Sequence, residues 1–176
     1  LRVTSDNYMA HYAMATGFYE NGELKKAAQH LKESVKINPR YFPTQTVLGM
    51  LLVEEGRFDE AEETLSEALR LGAGFAEPNN GMGFLRTRQG RLEEAVEYFS
   101  RALKIDPQMI EPPRNLAGVF GQQGKMDEAI ELYRRVLLLA PSDVVSHHFL
   151  AMNLMQRGEV DEAAHHFSEA LKYNPH

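Results

Sequence analysis

The sequence predicts an all-α fold, an α-solenoid of helix–turn–helix repeats, and two observations predict it. A shift of 34 residues lays the 176-residue chain onto itself without a gap, and the columns that survive the shift are turn glycines, small residues and prolines at constant offsets. Gly22, Gly56, Gly90, Gly124 and Gly158 form one column. Ala27, Ala61, Ala95, Ala129 and Ala163 follow five residues later, and Pro39, Ala73, Pro107, Pro141 and Pro175 form a third. Small residues at Ala15, Gly49, Gly83, Ala117 and Ala151 lie twelve before each column alanine; Leu31, Leu65, Phe99, Tyr133 and Phe167 lie four after it.

Each element follows from a column. Glycine suits the left-handed residue that ends a helix and lets the chain reverse, so every period holds two helices. Pro43, Pro78, Pro112 and Pro113 fall in or near the start of a first helix, where a missing N–H costs little. The second helix opens on Asp59, Glu93, Asp127 or Asp161, with Lys25 in the first period, and an acid there is expected to cap the first turn. The column proline then stops it. Small residues facing each other across the hairpin let the two helices approach while the large column fills the remaining space.

These columns resemble the tetratricopeptide repeat (TPR), and the match runs over residues 8–175. The resemblance implies a right-handed superhelix made of units 8–41, 42–75, 76–109, 110–143 and 144–176 in one continuous domain, with residues 1–7 as the tail of a preceding repeat. Arg86 departs from Phe18, Leu52, Phe120 and Leu154 of the sister units, and Ala73 replaces a proline; both are expected to disturb packing only locally. Leu1 and Val3 continue two apolar columns backward, the opening residues look like neither a signal peptide nor a natural start, and no polar capping helix follows Phe167, Ala170 and Leu171. The chain is therefore expected to be cut from a longer array or to stack against another copy.

Composition narrows the function classes. Lys and Arg total 19 against 25 Asp and Glu, a net charge of −6, which supplies no uniform positive field for a phosphate backbone, so nucleic acid is not an expected partner. The absence of Cys removes disulfides, thiolate metal sites and cysteine nucleophiles. The longest apolar run, Val136 to Ala140, is too short for direct membrane insertion, and a soluble protein, with the cytoplasm favoured, is expected. His147-His148 and His165-His166 raise the question of a metal, but helical spacing sends His148 to the groove, His147 to the packing surface and His165 and His166 to the outer side, so no metal or other cofactor is expected. Residues 42–75 carry two basic and seven acidic side chains, and Glu60, Glu62, Glu63 and Glu67 read as a solvated outer face. With no Gly-rich phosphate loop, nucleophile elbow or metal-binding helix motif, no enzymatic activity is expected.

Function in a solenoid falls on an extended surface, because each repeat touches only its neighbours. The resemblance implies a concave groove lined by the first helix of each repeat. The candidate partner-binding residues are Tyr12, Thr16, Tyr19, Val47, Met50, Asn80, Phe84, Arg88, Arg114, Asn115, His148, Phe149 and Met152, and the same stripe includes Thr46, Val53 and Gly81. Its ends are apolar, and Asn80, Arg88, Arg114 and Asn115 make a polar centre, Arg114 and Asn115 suiting a carboxylate or a peptide backbone. Gly118 and Gly121 each cost a helix about 1 kcal/mol against Ala, which either room for a ligand or tolerated drift accounts for. The carboxylate clamp of some TPR proteins is absent, since Tyr12, Thr16 and Val47 stand where Lys and Asn are needed. An asparagine ladder has one rung, Asn115, in the column Ala13, Val47, Gly81, Asn115, Phe149. The expected function is a scaffold or adaptor that binds a peptide or helical segment of a partner protein. The alternative is a structural spacer or self-assembly segment of a longer protein, associating through its exposed repeat ends.

Overall fold

Ten helices and no strand make up residues 7–173, the residues that the computed structural model describes. In chain order they are α1 (Tyr8–Glu20), α2 (Leu24–Ile37), α3 (Phe42–Glu54), α4 (Phe58–Leu71), α5 (Ala76–Arg88), α6 (Leu92–Ile105), α7 (Glu111–Gln122), α8 (Met126–Leu139), α9 (Val144–Arg157) and α10 (Val160–Tyr173). The fold is an all-α solenoid of helical repeats. Leu1, Val3 and Pro175, on which part of the repeat reading rests, lie outside the described residues. Among the described residues no helix is long and apolar enough to cross a membrane.

The five column glycines all have positive φ, between 72° and 85°. Each is followed by an N–H that reaches back to the helix it closes: Glu23 to Phe18, Arg57 to Leu52, Arg91 to Arg86, Lys125 to Phe120 and Glu159 to Leu154, at 2.8 to 2.9 Å. This left-handed cap satisfies carbonyls that a helix end leaves open. The acidic column behaves differently from the expectation. Glu23, Arg57 and Lys125 occupy the N-cap positions of α2, α4 and α8 without side-chain caps, and Asp59 and Asp127 lie in the first turn, two residues after the cap. Capping needs a side chain just before the first helical residue, so these acids complement the helix dipole without capping it.

The chain divides into two compact units, with the boundary between Arg91 and Leu92. In the first unit, α3, α4 and α5 meet around Leu65, which is fully buried. A Cβ added to Gly49 would stand 2.5 Å from Leu65 Cγ, and one added to Gly81 2.7 Å from Leu65 Cδ2, so two helix backbones close on one side chain. Arg86 is buried as well. Its Nη1 and Nη2 each donate to a Glu62 carboxylate oxygen at 2.6 Å, and Nη1 also reaches Gln89 Oε1 at 2.8 Å. Glu62, expected on a solvated face, is thus turned to Arg86, and that bond is the first cause holding its pKa below the usual carboxylate range.

In the second unit, Phe99 and Ala95 of α6 pack with Leu116 and Val119 of α7. Ala117, Ala129, Ile130, Tyr133, Leu150, Ala151, Leu154 and Ala163 form a further cluster across α7 to α10. Phe120 and Leu132 pack against both clusters.

Candidate partner-binding surface

In the first unit the expected stripe is only partly open. The rings of Tyr8 and Tyr12 meet Tyr41 edge-on, with centroids 5.1 and 5.5 Å away. Burial, then the nearby Tyr41 and Glu77, raises the Tyr12 phenol above its ordinary pKa. Tyr41, which immediately precedes α3, did not figure in the stripe; its position outside the helix put it beyond a spacing argument. Tyr19 donates to Glu54 Oε1 at 2.5 Å, tying α1 to α3, and burial followed by this bond holds its pKa well above normal. Thr16 donates to Ala13 O at 2.9 Å within its own helix. Val47, Met50 and Phe84 are half-buried and Arg88 is exposed.

Asn80 departs from the expectation, because it is buried in the helix packing rather than displayed. Thr46, Val53 and Gly81 are buried too. Gly81 lays α5 against Leu65 of α4, and an approach that close covers the neighbouring turn. Helical spacing fixes which residues share a side, while the bulk on the adjacent helices fixes how much of that side stays open.

In the second unit, Arg114 Nη1 donates to Asp143 Oδ1 at 2.8 Å, and Asp143 Oδ2 accepts from the Ser146 backbone N–H at 2.8 Å. Arg114 therefore steadies the capped start of α9 besides bordering the surface, and Asn115 is half-buried next to it. Phe149 stacks on Tyr133 with centroids 6.1 Å apart, and burial pushes the Tyr133 hydroxyl up to about 12. His148 meets the rings of Phe149 and Phe167 edge-on. Phe149 is 42% exposed and Met152 40%, and Val145 and Met155 continue the same open apolar row along α9. Val144, Val145, His148, Phe149, Phe167, Ala170 and Leu171 line a groove of about 470 Å³ between α9 and α10.

Neither Gly118 nor Gly121 is required sterically at its position. A Cβ on Gly118 would meet Tyr133 Oη at 3.6 Å and one on Gly121 would meet Asn153 Oδ1 at 3.7 Å, both ordinary contacts. Gly118→Ala and Gly121→Ala are each expected to raise stability by about 1 kcal/mol, measured by chemical denaturation. A partner backbone lying on these glycines would lose affinity in the same two variants.

The histidines also differ from the expectation. His147 and His166 meet across the α9–α10 hairpin, Nδ1 to Nδ1 at 2.9 Å, and the His165 ring lies 5.2 Å from His166. Spacing along each helix was read separately, and it is the hairpin that joins them. Among the described residues no group of three or more His, Cys, Asp or Glu is placed to hold a metal ion.

Comparison with known proteins places this geometry. The tetratricopeptide-repeat family matches the sequence over residues 46–110, 86–152 and 144–176. No curated protein matches it. Among solved structures, a thermophilic TPR protein of Thermus thermophilus, TTC0263, is similar with a TM-score of 0.87 at 17% identity, covering 96% of this chain and 92% of that one. Pseudomonas aeruginosa pilF gives 0.81 at 21% identity, over 95% of this chain and 76% of that one. YrrB, described as a TPR protein with an unusual peptide-binding site, gives 0.64 at 16% identity, over 97% and 88%. At these identities the structures share a fold, and with the sequence matches and the recurring helix pairs they lead to one conclusion: the chain belongs to the tetratricopeptide-repeat family, a protein–protein interaction fold.

Proposed function

We propose that the protein is a scaffold, without chemistry of its own, that holds a peptide or helical segment of a partner protein on the first helices of its repeats. The observation that carries this reading is the row Val145, Phe149, Met152 and Met155, whose apolar side chains stay open along one side of α9. Methionine and stacked aromatic side chains repack around an apolar ligand, and His148 and Arg114 border them with polar groups. In the first unit, Tyr12, Met50 and Phe84 offer a second set of anchors, with Arg88 exposed beside them. Capture from the source cell's lysate tests the reading. Phe149→Ser/Met152→Ser is expected to lose a protein that the unaltered chain retains while keeping its helical circular dichroism; identical captures would contradict it.

Self-association is the second reading, and Leu171 favours it. Leu31, Leu65, Phe99 and Tyr133 are buried, whereas Phe167 of the same column borders the open α9–α10 groove and Leu171 next to it is 66% exposed. Under this reading Leu171→Glu converts a concentration-dependent oligomer into a monomer in light scattering. A strict monomer of the unaltered chain at all concentrations would remove it.

A further inference from the structure

The histidines of the α9–α10 hairpin form a directed relay. His147 is buried; its Nδ1 lies 2.9 Å from His166 Nδ1, and its Nε2 lies 2.9 Å from the carbonyl oxygen of Pro141. A carbonyl only accepts, so His147 Nε2 carries a hydrogen. A neutral imidazole has one N–H, so His147 Nδ1 is bare and His166 Nδ1 donates to it. The free lone pair of His166 is then on Nε2, 3.9 Å from Glu162 Oε1. A first proton goes to that Nε2 and leaves the relay intact. A second has only His147 Nδ1, the atom that accepts the bond, and would set two N–H groups of two cations against each other. The closed hairpin thus holds one proton where separated rings hold two.

We infer that this relay is a pH-sensitive latch, in which neutral histidines hold α9 against α10 and acidification releases α9 with the Phe149 and Met152 it displays. The surroundings do not cancel the effect. From α10, Glu162, His165 and Tyr173 face the pair; from α8, Arg134 donates to Glu162 at 2.6 Å; at the start of α9, Asp143 is occupied by Arg114 of α7. Glu162 and Asp143 are therefore each already paired with an arginine. Burial first, then His147 and His165, holds the His166 pKa below its ordinary value. Because the closed pair takes up one proton fewer than the separated rings, the latch is complete above about pH 6.5 and weakens as pH falls below it, by up to about tenfold per pH unit for one proton. The same pair recurs four periods earlier, where His11 and His30 of α1 and α2 meet Nδ1 to Nδ1 at 3.0 Å and burial followed by His11 lowers the His30 pKa.

Hydrogen exchange of α9 and α10 amides in the whole chain, corrected for intrinsic rates, tests the latch between about pH 7.5 and about pH 5.5. Opening is expected to rise about tenfold on acidification. His147→Gln is the informative variant, because Gln45 of α3 already donates to Pro39 O at 2.7 Å from the equivalent position. A glutamine amide keeps both bonds and does not titrate, so protection at neutral pH is retained and the acid response falls well below tenfold, to the part that burial of His166 supplies. Equal acid responses in the two proteins would overturn the latch. So would nitrogen-15 imidazole spectra of the unaltered chain that place the His166 hydrogen on Nε2 at neutral pH. The consequence for binding rests on the proposed use of α9: opening with undiminished partner capture keeps the latch and overturns that use.

Discussion

Glu62→Ala is expected to lower stability by about 3 kcal/mol, although Glu62 sits in an acidic run that reads as ordinary surface. Its loss leaves the Arg86 guanidinium buried without the carboxylate that both its Nη atoms engage. The Arg86 side chain is 6% exposed and that of Glu62 40%, so the penalty falls at the lower end of that for breaking a buried pair. The double variant Arg86→Leu/Glu62→Gln is expected within about 1 kcal/mol of the unaltered protein, because an apolar residue at this position restores what Leu52 and Leu154 provide in sister units. Chemical denaturation of the single and double variants checks both values. The lowered Glu62 pKa also sets a sign: this contribution is present above the unfolded carboxylate value of about 4.3 and is lost as pH falls through the folded one. A Glu62→Ala variant as stable as the double would contradict the assignment.

Gly49→Ala has the second largest expected effect, a loss of about 2 kcal/mol, against the usual gain for replacing a helical glycine. The new methyl would meet Leu65 at its branch carbon, 2.5 Å away, which rotation about χ2 does not move, and Leu65 is fully buried. Gly81→Ala presses on the same side chain from α5, so the two losses are not additive. In a Leu65→Ala background, Gly49→Ala should cost nothing. An equal cost in both backgrounds would show that Leu65 is not the obstruction.

The fold was legible because its determinants are local: a glycine that must adopt positive φ, a proline that stops a helix and small residues at fixed offsets. The candidate surface was legible in part. Phe149, Met152 and Arg88 are exposed, whereas Asn80 and Val53 share the same spacing and are buried. Asn80 adjoins Gly81, where α5 closes on Leu65 of α4, an approach that spacing along one helix does not reveal. Arg86 with Glu62 and His147 with His166 escaped notice because their partners are 24 and 19 residues apart on different helices. A signal existed for the second, since His11 and His30 repeat the same two columns.

The most direct test of the account is photocrosslinking in the source cell's lysate from a photoactivatable residue placed at Met152 or, in a separate protein, at Leu138. Leu138 of α8 is 84% exposed and so controls for apolar exposure on a second helix. A partner adduct from position 152 and none from position 138 is the predicted result. An adduct from position 138 alone would place the partner on the second helices and contradict the proposed surface.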